Sequence, residues 1–305
     1  MRALAFVHLG IVYVLWGSTF LAIRVAVREG SGFPPFFMAG TRILTASAIL
    51  FILAWLAKQR LRPTRRELLV VAGAGLLLWT GGNGLLTWSE QRVHAGPAAL
   101  VIATVPVWAS LTEAYLDRRR PSLLLIVSLG VALLGVAALS VPFLTSGVRA
   151  DGLSMATLLL AALSWAAGTV LQSRRSVKLE IYSNAAYQTL FGALGILTVS
   201  LLLGESAPSP VPEAWIAWAY LIVFGSLIGF TSYLQTIRLL PLSVATTHTY
   251  VNPVVAVVLG AILLSEPITT YTLVGTGLVL LGVVGVFRDR FRARPTLATE
   301  AEAAD

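Results

Sequence analysis

The sequence predicts an all-α membrane protein: ten transmembrane helices in two inverted five-helix repeats. Three observations predict it. The composition is too apolar for a water-facing globule, ten apolar stretches have membrane-spanning length, and matched positions recur about 147 residues apart. Of 305 residues, 57% are apolar and 12% are charged, against about 25% charged in soluble domains. So little polar surface excludes a soluble enzyme, a disordered chain and a disulfide-stapled secreted domain. The net charge of +8 would suggest nucleic acid in a soluble protein. Here it reads as juxtamembrane arginine, which orients spans and meets anionic lipid. The partners expected are the bilayer and a small-molecule substrate, not nucleic acid, and the chain is expected to be a monomer or a homodimer. Cysteine is absent, so no disulfide, thiolate-held metal or iron–sulfur site is expected, and no cofactor motif is present.

A helix needs about 20 mostly apolar residues to cross the hydrocarbon core. The stretches that qualify are Leu4–Val25, Pro35–Ala57, Glu67–Trp88, Ala95–Leu116, Ser122–Val141, Gly152–Gln172, Ile181–Gly204, Ala214–Thr236, Leu242–Leu264 and Thr270–Phe287. They are continuous runs without strand alternation, which predicts a helical bundle rather than a barrel. Met1-Arg2 leads straight into a long apolar run with no small-residue cleavage site, so the first stretch reads as a retained span.

Loop charges give an orientation. With the N-terminus inside, the inner loops hold Arg2, Lys58, Arg60, Arg62, Arg65, Arg66, Arg118–Arg120, Arg174, Arg175, Lys178, Arg238, Arg288, Arg290, Arg292 and Arg294. The outer loops hold only Arg24, Arg28, Arg92 and Arg149. That asymmetry predicts cytoplasmic termini in a multi-pass protein of the cytoplasmic membrane.

The halves resemble each other. Gly130-Val-Ala-Leu-Leu-Gly135 matches Gly277-Leu-Val-Leu-Leu-Gly282, Pro106 matches Pro253, Trp16 matches Trp165 and Glu67 matches Glu213. Each half holds five spans, over 4–141 and 152–287, followed by a cytoplasmic tail over 288–305. Five is odd, so the second half enters the membrane upside down. Inverted repeats are a transporter architecture with the substrate site near the midplane between the halves.

Particular residues carry a resemblance as well. Leu15-Trp16-Gly17-Ser18-Thr19-Phe20, Arg42 in the second stretch, Asn252-Pro253, Leu264-Ser265-Glu266-Pro267-Ile268 and the two Gly-x-x-Leu-Leu-Gly motifs resemble the EamA-type drug/metabolite transporter family. The resemblance runs from about residue 8 to 287. It implies ten helices in two inverted halves and export of small metabolites or drugs across the cytoplasmic membrane. Asp117-Arg118-Arg119-Arg120 departs from the Gly-Glu-Arg that often follows the family's fourth span.

Polar groups inside a span are costly and mark sites by default. The densest cluster is Thr246, Thr247, His248, Thr249, Tyr250 and Asn252 in the ninth stretch. His248 and Asn252 share a helix face at i, i+4, and Pro253 cannot donate to the Thr249 carbonyl. The ordinary alternative is a packing kink with threonine hydroxyls bonded to their own turn. Trp16, Trp79 and Trp165 sit deep in their stretches and predict an aromatic-lined cavity with Asn83, one turn beyond Trp79; Tyr233 is a weaker candidate. Such a cavity suits apolar or amphipathic solutes. Trp55, Trp88, Trp215 and Trp218 lie near stretch ends and read as interfacial anchors. Arg42, with Gln188 as its approximate repeat counterpart, and the prolines Pro106 and Pro253 read as gating or structural positions.

No catalytic constellation emerges: there is no His-x-x-x-His, no Gly-x-Ser-x-Gly and no phosphate-cradling loop. The leading expectation is a secondary exporter working by alternating access, not an enzyme. A narrow amino-acid or metabolite exchanger of the same fold stands beside it. A membrane-embedded lipid-modifying enzyme is the alternative from another class.

Overall fold

The computed structural model describes residues 2–92, 95–145, 152–175, 177–264 and 268–292. The Ser265-Glu266-Pro267 motif, Arg149 and residues 293–305 of the tail lie outside them. Every regular element among the described residues is a helix.

Among the described residues, eight helices are long and apolar enough to cross a membrane: Ala3–Val27, Pro35–Leu56, Arg65–Ser89, Leu123–Val141, Gly152–Arg174, Ile181–Leu202, Pro212–Leu239 and Thr270–Asp289. The other two stretches are helical but broken. One runs as Ala95–Ile102 and Val105–Asp117, the other as Leu242–Ala245 and His248–Leu264. In chain order we label the helices α1 (Arg2–Val27), α2 (Pro35–Leu56), α3 (Arg65–Ser89), α4 (Ala95–Ile102), α5 (Val105–Asp117), α6 (Leu123–Thr145), α7 (Gly152–Arg174), α8 (Ile181–Leu202), α9 (Pro212–Leu239), α10 (Leu242–Ala245), α11 (His248–Leu264) and α12 (Thr270–Arg292).

The breaks correct the expectation that Pro106 and Pro253 occupy equivalent places. Pro106 lies in the first turn of α5, just after the interruption, where a missing N–H costs nothing. Pro253 lies inside α11, and the interruption before that helix falls at Thr246 and Thr247.

A second irregularity is matched between the halves. Leu76–Gly84 of α3 and Leu221–Gly229 of α9 are both π-helical. A π-helical stretch bonds i to i+5, widens the helix and re-aims side chains, and such stretches gather at functional sites.

Helix ends are fixed by local chemistry. Thr64 and Glu67 form a capping box at the start of α3, where the Thr64 hydroxyl accepts from the Glu67 N–H and the Glu67 carboxylate accepts from the Thr64 N–H. Arg60 pairs with the same carboxylate at 2.6 Å. The Glu205 carboxylate accepts the Phe36 and Phe37 N–H groups at 3.0 and 2.7 Å. That satisfies two free donors of α2 and complements its dipole.

The helices of the two sequence halves interlock. Helix α2 packs on α8, α3 on α7 and α8, α1 on α9 and α11, and α6 on α12. Small residues permit the closest approaches: a Cβ at Gly135 or Gly282 would meet the opposing α12 or α6 backbone. Gly130 and Gly277 have open space there instead among the described residues, so Gly135 and Gly282 are the packing glycines of the two Gly-x-x-Leu-Leu-Gly motifs.

Candidate functional site

Helices α1, α2, α3, α7, α9 and α11 converge on a buried cavity of about 70 Å³, on the order of five waters' worth of room. Its aromatic walls are Trp16, Trp79 and Trp165; its polar lining includes Arg42, Asn83, His248 and Asn252. A larger recess of about 800 Å³ opens on the flank beside Leu100, Gly130 and Leu159. Its lining is aliphatic apart from Thr104, so it offers nothing to orient a solute.

The aromatic cluster is tightly ordered. Trp16 meets Trp165 edge-on at 5.4 Å between ring centroids and His248 at 5.0 Å. Trp79 meets Trp165 at 6.4 Å and Phe230 at 4.7 Å. These are favourable edge-to-face spacings. Glycines make the room: a Cβ at Gly82 would strike Trp165, one at Gly192 would strike Trp79 and one at Gly229 would strike Trp16. The Trp16 indole N–H donates to the Gly225 carbonyl at 3.1 Å, so the π-helical stretch of α9 anchors the ring from α1.

Tyr233 does not line the cavity; it stands behind the wall. Its hydroxyl accepts from the Trp165 indole N–H at 3.1 Å and meets the Thr169 hydroxyl at 2.6 Å. Its ring lies 4.8 Å from that of Trp16. Tyr250 is a correction. It is buried against α6, with its hydroxyl donating to the Leu129 carbonyl at 3.4 Å, because the turn at Thr246 and Thr247 sets α11 so that His248, Thr249 and Asn252 face the cavity. Gln188 is also elsewhere, bonded to Gln172 and Asn184 at 2.9 and 2.8 Å in a separate buried polar cluster.

The polar lining is incompletely satisfied. Arg42 is buried, and its Nη2 donates to Asn83 Oδ1 at 2.7 Å while its Nε has no partner among the described residues. The indole N–H of buried Trp79 and the Oδ1 of buried Asn252 also lack partners among the described residues. His248 Nδ1 lies 3.0 Å from the Ala245 carbonyl. A carbonyl only accepts, so the proton sits on Nδ1 and the neutral ring keeps Nε2 as an acceptor. The cavity therefore has a donor side at Arg42 and Trp79, and an acceptor side at Asn252 and His248. The threonines are more ordinary: Thr246, Thr247 and Thr249 donate to carbonyls three residues back, as the packing alternative held.

One residue was missed in the sequence. Glu90 lies one position beyond the Arg65–Ser89 span and is 7% exposed. Neither of its carboxyl oxygens has a hydrogen-bond partner among the described residues. Burial pushes the carboxyl up to about 8, against the pull of Arg24 and Arg42. Its signal was spacing: Asn83, Leu86 and Glu90 fall on one helix face, and the first two line the cavity.

A polytopic helical protein with a central, part-satisfied cavity is the form of a membrane solute carrier. The chain belongs to the EamA-like transporter family, which matches residues 5–141 and 152–288. It is a multi-pass membrane transporter of that family. It is similar to the "Uncharacterized inner membrane transporter YedA" of Escherichia coli K12, 34% identical over 94% of this chain and 92% of that protein. It is also similar to the "Probable terminal-alkyne amino-acid exporter" of Streptantibioticus cattleyicolor, 30% identical over 94% of each. A solved crystal structure superposes with a TM-score of 0.76 over 96% of this chain and 100% of that one, at 18% identity, which shows a shared fold.

Proposed function

We propose that the chain is a secondary exporter of small organic solutes in the inner membrane, with ten spans in two inverted five-helix halves and both termini cytoplasmic. Alternating access would expose the aromatic cavity to each side in turn. The observation that carries this reading is the cavity itself: three tryptophans from α1, α3 and α7 enclose a space also lined by Arg42, Asn83, His248 and Asn252. The breaks at Ala103–Thr104 and Thr246–Thr247 fall in the fourth and ninth spans, in keeping with the discontinuous helices of carrier sites. Inner-membrane placement and outward transport are supported by the names of the similar proteins.

A narrower reading is favoured by one observation, the Arg42 guanidinium in the cavity. It suits a solute carboxylate, while Asn252 Oδ1, His248 Nε2 and the indole faces suit an ammonium. An apolar amino acid presents both groups on a small body, in keeping with a cavity too small in this conformation for a drug-sized solute. The test is counterflow of radiolabelled L-leucine, its amide and a panel of larger drug-like cations in proteoliposomes. Leucine counterflow that the amide does not compete supports the amino-acid reading. Counterflow of the cations alone supports the broad exporter instead, and none from any solute contradicts both.

A further inference from the structure

Helices α2 and α8 correspond residue by residue. Gln59, just past the end of α2, accepts the Tyr182 and Ser183 N–H groups at the start of α8, both at 3.1 Å. Glu205, just past the end of α8, accepts the Phe36 and Phe37 N–H groups at the start of α2. Donors and acceptors correspond at one constant spacing in sequence. The residue before each acceptor, Lys58 or Gly204, has a positive φ. The two helices therefore run antiparallel, each tied at its start by the residue that closes the other. At that same spacing Arg42 corresponds to Gln188. On the neighbouring helices Trp16 of α1 corresponds to Trp165 of α7, and Gln172 follows Trp165 as far along as Ile23 follows Trp16.

Ile23 and Arg42 line the aromatic cavity, on the side of the α1–α2 loop. Their counterparts Gln172 and Gln188 lie toward the α7–α8 loop, at the opposite end of the α2–α8 pair, and there the helices are closed together. Gln188 Nε2 donates to Gln172 Oε1 at 2.9 Å and to Asn184 Oδ1 at 2.8 Å. Asn184 and Gln188 are fully buried. Asn184 Nδ2 and Gln188 Oε1 have no partner among the described residues, and amides with part of their bonding unmet are held less firmly than fully paired ones. Ala161, Trp165, Thr169 and Gln172 follow one face of α7, and Asn184, Gln188 and Gly192 one face of α8. The first of these faces begins at the cavity wall, and a Cβ at Gly192 would strike Trp79 of that wall. Both faces therefore lead from the cavity to the amides. The Tyr233 hydroxyl, bonded to Trp165 and Thr169, stands between the two.

We propose that Gln172, Asn184 and Gln188 form a second station of the solute path, the counterpart of the aromatic cavity: closed in this conformation, and opened to the other face of the membrane when the cavity closes. This rests on the alternating-access reading. Opening exchanges the Gln172–Gln188 bond for bonds to water and solute, and the Trp165–Tyr233–Thr169 group is the partition between the stations. The chemistry of the two differs. The cavity holds the Arg42 cation, whereas the second station offers amide donors and acceptors without charge. Solute polar groups are therefore held there by neutral hydrogen bonds, which are weaker than those to a guanidinium.

The experiment measures the reaction of single introduced cysteines with a membrane-impermeant methanethiosulfonate, in right-side-out and in inside-out vesicles holding the full chain. The chain has no cysteine of its own. Ala161→Cys, on the cavity wall, should react from one face of the membrane. Gln172→Cys should react from the opposite face, about tenfold or more faster than Val170→Cys, which is buried on α7 against Val105 and Leu242. Gln188→Cys serves in its place if Gln172→Cys does not fold. A Gln172→Cys chain that reacts no faster than Val170→Cys, or from the same face as Ala161→Cys, overturns the proposal. If Ala161→Cys reacts from neither face, the carrier reading fails and the proposal with it. A reactive Ala161→Cys beside an unreactive Gln172→Cys overturns the proposal alone. In the double variant, a bulky maleimide first placed on the cysteine at position 161 holds the cavity open and should slow the reaction at position 172 by about tenfold. An unchanged rate overturns the exchange between the two stations.

Discussion

At the residue scale, the proposed site would divide its work between rings that enclose a solute and polar atoms that orient it. Trp16 packs on Trp165, Tyr233 and His248 at once, so Trp16→Ala should weaken solute binding by about 1 kcal/mol or more at every pH. Asn252 Oδ1 has no partner among the described residues. Asn252→Ala should therefore cost about 1–3 kcal/mol of affinity while leaving thermal stability nearly unchanged; calorimetry on the same preparations reads both. Glu90 supplies a pH dependence of stability whose sign is fixed. Its carboxyl is raised to about 8 in the fold, so the fold favours the protonated form. That contribution is complete below the ordinary carboxyl range of about 4.5 and is lost as pH rises through about 8. Melting of the native chain in detergent should drop between about pH 5 and about pH 9, and Glu90→Gln should flatten the drop. Parallel melting curves for the two chains would contradict this. The tryptophans, Asn83, His248 and Asn252 could be read in the sequence because polar or bulky aromatic groups deep in a span need a reason to be there. Glu90 could not, because an acid at a span end looks solvated until the packing around it is known.

At the element scale, glycines and helix breaks shape the cavity more than the prolines do. A Cβ at Gly229 would collide with the Trp16 indole that donates to the Gly225 carbonyl. Gly229→Ala should displace that ring, shift tryptophan fluorescence and slow transport, whereas Gly277→Ala, with open space around it, should do neither. Pro106→Ala should leave transport near native, because proline in a first turn breaks no helix bond. Pro253→Ala restores a donor to the middle of α11 and should slow transport while preserving the fold; equal rates for both alanine variants would reduce Pro253 to packing. The expected span ends fall within a few residues of most helix ends, because apolar runs are set by the thickness of the bilayer. Interruptions in the fourth and ninth spans were legible from Pro106 and Pro253, but their exact places, and the π-helical stretches, were not. They depend on tertiary partners such as the Trp16 indole, and Pro106 and Pro253 align in sequence without marking equivalent breaks. Tyr250 was misplaced for the same reason: a rotation at the unseen turn before α11 decides which of its residues reach the cavity.

At the scale of the whole molecule, the charge asymmetry of the loops predicts the topology. The chain has no cysteine, so single introduced thiols report it directly. In intact cells a membrane-impermeant maleimide should label Gly30→Cys, in the loop after α1, and should label Lys58→Cys, after α2, only once the membrane is opened. The reverse pattern would invert the topology. The interlocking of α1 with α9 and α11, and of α3 with α7 and α8, places the cavity among helices of both sequence halves, as the proposed alternating access requires. The central claim is that this cavity is the solute path, and Ala161 on its wall allows the most direct measurement. In Ala161→Cys, reaction with a small methanethiosulfonate should abolish solute counterflow in proteoliposomes, and the transported solute should slow that reaction. Unchanged counterflow after complete modification would show that solute travels by another route.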